Sequence, residues 1–413
     1  MLRRRLRLAT RLRTLLGPDP GAARQSLVAL GLNSTTSLVA GAMLGSITST
    51  FERLPGLLVL VPAAIGLRGN IFGTLGNRIS TTIHAGTFRL STRPDTVLGQ
   101  NVLAASILTL VMSVVLAVVA KAVAVALGLS ETISVLDLVV ISVIGGVLAS
   151  VVVLAATLGL SAGAVRYGWA LDNVNAPLVS TLGDVLTLPA IFVATSAVGL
   201  GLVTSSLGVF VAVASLGVLV LGWRSPLDEL RRIVHESLPV LVVAGAISAM
   251  AGIVLEGRLE SFDRYPALLV LVPAHLSSAG ALGGILSGRL ASKLVLGVVP
   301  PRAAPNREAR LDILLVFLLA VPVYLFNAVG AHLVARVVGA ASPGVLDMVA
   351  ASLSGGLLAM ALVVVIAYYG TIASVRAGVD PDTYGIPVVS SSVDFVGAFT
   401  LTVTIATLGL TAT

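Results

Sequence analysis

Hydrophobic positions in this chain neither alternate nor keep to one helical stripe. They run on in continuous apolar segments at 26–48, 56–83, 98–128, 133–162, 176–200, 204–223, 237–257, 266–290, 311–338, 345–374 and 385–411. At 1.5 Å of rise per residue each segment can cross a hydrocarbon core of roughly 30 Å. The pattern predicts eleven helical spans and an all-α polytopic membrane protein. A membrane β-barrel is excluded, because its strands would alternate apolar and polar positions. The least marked boundary lies between the fifth and sixth spans. The run from Val185 to Leu221 is nearly unbroken, and only Gly199, Gly201, Thr204, Ser205 and Ser206 signal a turn.

The same text occurs twice. Pro55–Ala63 reads PGLLVLVPA and Pro266–Ala274 reads PALLVLVPA, an offset of 211 residues. Gly69, Gly73 and Arg78 pair with Gly280, Gly284 and Arg289 at that offset. Asp172, Pro177 and Asp184 recur as Asp382, Pro387 and Asp394 at an offset of 210. The chain therefore reads as a basic N-terminal arm (1–25), a first repeat (26–200), a linking span with its loop (201–235) and a second repeat (236–413). Each repeat holds five spans. The extra span restores the orientation that an odd number would invert, so the two repeats are expected to be parallel, as in a fused dimer. One chain then suffices, and a monomer is expected.

Composition agrees with a membrane protein: 56% of residues are hydrophobic, 11% are charged, and the mean hydropathy is +1.04. The net charge of +7 comes with no basic face interleaved with aromatics, so nucleic acid is not an expected partner. With the N-terminus inside, 20 of the 26 basic residues fall in inner segments and five in outer ones. This bias predicts a multi-pass cell-membrane protein with a cytoplasmic N-terminus and an external C-terminus. Cysteine is absent, which excludes thiolate metal sites and disulfides. No GxSxG, Walker A, HExxH or CxxC motif occurs, so an enzyme is not expected.

The informative residues are polar ones inside apolar spans, where they are costly and mark ion or substrate paths. In the fifth span Pro177, Ser180, Asp184 and Thr187 share one helix face, and Asp184 lies roughly 10 Å past Pro177, near mid-bilayer. Asp394 shares a face with Pro387 and Ser390. If the repeats pack about an axis, the two carboxylates converge, and oxygen ligands with a charge of −2 suit a hydrated divalent cation such as magnesium. Otherwise each acid only hydrogen-bonds a neighbouring helix. The second span carries Pro62, Gly66, Gly69, Gly73 and Gly76, and its centre is expected to depart from smooth helix, freeing carbonyls near Asn70. Close packing of small residues is the competing account of those glycines. Asp172, Asn173, Asp382 and Gly69 are further candidates for lining a path. Asp137 and Asp347 match across the repeats, either as helix-dipole partners or as an acidic ring at the outer mouth. His275 reads as a hydrogen-bonded core histidine, and Glu256, Glu260 and Asp263 as a solvated outer loop.

At these residues the chain resembles the MgtE / solute carrier 41 family of magnesium transporters. Leu60–Asn70, with Thr74-Leu75 and Arg78–Thr81, is similar to that family's LVPALLGLKGN…TL…RLST signature. Asp172–Val174, Pro177 and Leu182–Asp184 resemble its PDNVATP…GDL signature, and Asp382, Pro387 and Asp394 form a weaker second copy. The resemblance implies Mg2+ or another divalent cation as the transported ion, with no permanently bound cofactor. It puts Asp184 and Asp394 in place of the pore aspartate and Asn70 in place of the second-span asparagine. The second copy departs from the pattern, with Ala281 after Gly280 and Val393 before Asp394. Bacterial relatives carry cytosolic magnesium-sensing domains, which the short arm here is expected to lack. Two other readings stay open on the residues alone: an ion-coupled carrier of a small organic solute, and a non-transporting membrane scaffold.

Overall fold

The computed structural model describes residues 20–84, 86, 88–129, 132–167, 171–295, 297–377 and 386–410. Among the described residues all regular structure is α-helix. The N-terminal half holds α1 (Pro20–Ser46), α2 (Thr48–Arg53), α3 (Leu57–His84), α4 (Val97–Ala126), α5 (Val135–Tyr167) and α6 (Leu171–Thr195). Then come α7 (Leu202–Trp223), α8 (Asp228–Glu256), α9 (Leu259–Arg264), α10 (Ala267–Val295), α11 (Arg307–Val337), α12 (Val345–Ala377) and α13 (Ile386–Thr407). Ten of these are long and apolar enough to cross a membrane, and α6 contributes an apolar stretch at Thr181–Thr195. The break before α7 falls where the sequence signal is weakest. Gly199 and Gly201 adopt positive φ of 88° and 59°, which only glycine takes at little cost. The Thr204 hydroxyl secures the turn by donating to the Ala197 carbonyl and accepting from the Leu200 N–H.

Two features depart from expectation. The centre of the second span is not irregular: α3 is continuous helix from Leu57 to His84. Gly66 gives ordinary contact room beside α13, and nothing lies within 4 Å of a Cβ on Gly73. A Cβ on Gly66 would lie 3.5 Å from the Asp394 carboxylate, and one on Gly183 of α6 would lie 3.7 Å from the Gly69 N–H. The short helices α2 and α9, each preceding a duplicated Pro-Gly or Pro-Ala step, also carry no apolar run long enough to reveal them. Phe51 and Phe262, 211 residues apart, anchor them and are fully buried.

The spans interleave. Helix α1 packs on α10, α11 and α6, whereas α8 packs on α3, α4 and α13. The closest approaches use matched glycines. A Cβ on Gly41 would fall 2.0 Å from the Val270 carbonyl oxygen of α10, and one on Gly252 would fall 2.4 Å from the Val59 carbonyl oxygen of α3. Small residues of this kind let helix backbones touch where lipid offers no hydrophobic drive to association. Helices α10 and α11 are tied by Asp312, which is 1% exposed and accepts from Arg289 at 2.7 Å and Lys293 at 2.6 Å. Helix α7 leaves Leu202, Phe210, Val213, Leu216 and Leu221 exposed, as a lipid-facing helix does.

The loop acids are not uniformly solvated. Glu256 is half-buried and accepts the Gly56 N–H at 2.8 Å, satisfying a free donor at the start of α3. Glu52 on α2 lies within hydrogen-bonding reach of Asp263 on α9, and that neighbour raises the Glu52 carboxyl above its ordinary 4.5. A carboxyl raised in the folded state stabilises fully below its unfolded value and loses that contribution as pH rises through the folded one. Glu52→Gln should therefore raise the thermal midpoint in metal-free detergent at pH 7.5 and change it little at pH 4. Thermal unfolding at both pH values checks this; an equal shift at both would contradict the repulsion.

Candidate metal site

The two duplicated aspartates come together in the interior. Asp184 on α6 and Asp394 on α13 lie close enough for their charges to repel directly. Each is met by a hydroxyl from a helix of a different segment. The Ser277 hydroxyl of α10 lies 3.4 Å from the Asp184 carboxylate and 3.0 Å from the Asn33 side-chain oxygen of α1. The Ser248 hydroxyl of α8 lies 3.5 Å from the Asp394 carboxylate, beside Gly66 of α3. Contacts of 3.4–3.5 Å are long for O–H···O hydrogen bonds, which cluster near 2.7–2.8 Å. The hydroxyls border the carboxylates rather than clamp them, and Gly66 leaves the Asp394 side without a side-chain wall.

Neither carboxylate forms an ion pair among the described residues. Arg68 is buried with its Cβ against Gly183 and pairs with neither acid among the described residues. It donates to the Ala64 carbonyl, and its Nη2 sits where a side chain on Gly146 would begin, beside Ser113. No group of three or more His, Cys, Asp or Glu able to hold a metal ion occurs among the described residues. Two carboxylates with hydroxyl and amide oxygens suit an ion that keeps its water shell, as magnesium does, better than one stripped of it.

The other predicted residues divide. Thr187 is fully buried and its hydroxyl donates to the Gly183 carbonyl at 2.6 Å, so it is spent on its own helix. Ser390 lies one turn before Asp394 on α13 and is half-buried. Asn70 borders a cleft that Pro387 of α13 also lines. Asp137 shares a capping hydrogen bond of 2.7 Å with Ser134 at the start of α5, and Asp347 is exposed in the first turn of α12. Asp172, Asn173 and Ser180 lie on α6, but their side chains fall outside the described residues, as does all of Asp382. His275 is buried against the Tyr324 ring, centroids 4.9 Å apart, and neither ring nitrogen has a hydrogen-bond partner among the described residues.

Sequence reasoning passed over Ser248 and Asn33, whose role depends on how α1 and α8 interleave with the other spans. One signal was available: Asn33 and Ser37 share a face of α1, and Ser248 stands 211 residues after Ser37.

A profile of the MgtE family, described as divalent cation transporter, matches residues 61–194 and again 272–404. The chain is 25% identical to solute carrier family 41 member 2 of Gallus gallus over 92% of its length and 69% of the relative's. For the Homo sapiens protein of the same name the figures are 24%, 91% and 68%. For that of Xenopus laevis they are 24%, 67% and 50%, so the chain spans about half to two thirds of the length of these curated relatives. No solved structure matches.

Proposed function

Because the chain belongs to the MgtE family of divalent cation transporters, we propose that it moves a divalent cation, magnesium first among them, across the cell membrane. The ion passes between Asp184 and Asp394, at the seam of two five-helix repeats related by a pseudo-two-fold axis along the membrane normal. The twofold family match and the reciprocal packing of α1 and α8 support that symmetry. The charge bias of the loops supports a cytoplasmic N-terminus and an external C-terminus.

One observation carries the reading. Two duplicated carboxylates are buried in the interior, near enough for one charge to act on the other, with no ion pair among the described residues and each bordered by a hydroxyl from a neighbouring helix. Buried like charges are costly, and a doubly charged cation between them turns that repulsion into attraction. Ser390 shares α13 with Asp394, and Gly69 and Asn70 share α3 with Gly66, the neighbour of Asp394.

The test is flux. Purified protein in liposomes loaded with a magnesium-sensitive dye should take up Mg2+ down its gradient, without needing an organic solute on either side. Uptake of an organic solute alone would support a secondary carrier. No flux of any kind would return the aspartates to a packing role.

A further inference from the structure

Resting on that reading, we infer that the cation exchanges with the basic side of the membrane through one off-axis cleft, and that the equivalent place in the second repeat is closed. The cleft is narrow, with a cavity volume of about 20 Å³ between α3, α4 and α8 and Pro387 of α13 at its wall. Asn70, Thr74, Asn101 and Ser237 give it a polar lining.

Helix register points the cleft at the acid pair. Gly66 lies four residues from Asn70 on α3, Ser248 seven from Leu241 on α8, and Asp394 seven from Pro387 on α13. Residues so spaced share a helix face, roughly 6–10 Å apart along the axis. Gly66, Ser248 and Asp394 are mutual neighbours. The three faces that line the cleft therefore converge one to two turns deeper on Asp394.

The lining offers acceptors to the water that travels with an ion, one molecule at a time. A magnesium water shell offers protons and seeks acceptors. Asn101 is 3% exposed; its amide nitrogen donates to the Val97 carbonyl, and its side-chain oxygen is buried without a partner among the described residues. Asn70 and Ser237 add further oxygens. Arg78 lines the cleft two turns beyond Asn70, toward the basic end.

The same positions in the second repeat are different. Asn70 becomes Ala281, Thr74 becomes Ile285, and Ala105 becomes Val316. Ala281 and Ile285 pack against a core that includes Leu30, Val316 and Leu319. Asn101 becomes Asp312, which is locked to Arg289 and Lys293. Apolar packing and an ion cluster thus fill the second copy of the route.

The absence of native cysteine makes the test direct. Thr74→Cys and Ser237→Cys place thiols in the cleft, and Ile285→Cys places one at the closed equivalent. Each is treated from the basic side with membrane-impermeant methanethiosulfonate ethyltrimethylammonium, with labelling followed by mass spectrometry. Both cleft cysteines should be labelled, more slowly with saturating Mg2+ present, and labelling should cut Mg2+ flux at least about fivefold. Ile285→Cys should resist labelling and keep its flux. Full labelling of both cleft cysteines without loss of flux would overturn the route, as would no labelling of either, or faster labelling and block at Ile285→Cys. If untreated wild-type protein carries no divalent flux, the functional reading itself fails; if it does, only the route is at stake.

Discussion

Asp184→Asn is expected to abolish magnesium uptake while leaving the fold intact. The substitution keeps the shape of the side chain and its contact with Ser277, and it removes one of the two charges facing the path. A unit charge about 4 Å from another is worth roughly 4 kcal/mol at an effective dielectric of 20. At 1.4 kcal/mol per decade, that is on the order of a thousandfold in cation affinity. The apo protein should melt no lower than wild type, because relieving the repulsion with Asp394 offsets the weakened hydroxyl contact. Asp394→Asn should weaken uptake in the same direction and by less, since Asp394 faces Ser248 and a bare glycine where Asp184 faces the Ser277–Asn33 pair. Dye-based flux in liposomes and thermal unfolding in detergent read the two effects separately. A variant that unfolds would show that the carboxylate was structural.

Gly252→Val is expected to cause the largest loss of stability. A Cβ there meets the Val59 carbonyl oxygen at 2.4 Å, and a backbone atom cannot rotate aside as a side chain can. Helix α8 must move off α3, at a cost toward or above the upper end of the roughly 1–3 kcal/mol typical of overpacking. The damage should reach the site, because Ser248 lies one turn before Gly252 on the same face. Gly41→Val should behave alike through the Val270 carbonyl. Gly217→Val on α7 is the control: nothing lies within 4 Å of its Cβ, and its effect should stay within about 0.5 kcal/mol. Comparable melting of Gly252→Val and Gly217→Val would mean that α8 and α3 do not touch as described.

The spans were legible because lipid leaves a chain few options. Apolar runs of about 20 residues must be helices, since every backbone group has to be satisfied within the segment. Asp184 and Asp394 stood out in the sequence for another reason: duplication repeats the costly residues as well as the cheap ones. The glycines of α3 misled, because glycine is chosen both to break helices and to let them touch, and α3 is continuous helix across them. Ser248 and Asn33 stayed hidden because single hydroxyls and amides are common in membrane helices. Their meaning comes from the interleaving of α1 and α8, which no local pattern encodes. The short helices α2 and α9 were missed because each is only six residues long.

The central claim is that one ion is held jointly by Asp184 and Asp394. The most direct measurement is a double-mutant cycle on the thermal stabilisation given by Mg2+, using Asp184→Asn, Asp394→Asn and the pair. A ligand stabilises only the state it binds, so the shift in midpoint reports occupancy of the site. With one shared ion, Asp184→Asn alone should remove nearly all of the shift, and adding Asp394→Asn should remove little more. Independent, additive losses from the two substitutions, or a wild-type shift in either single variant, would contradict a shared site.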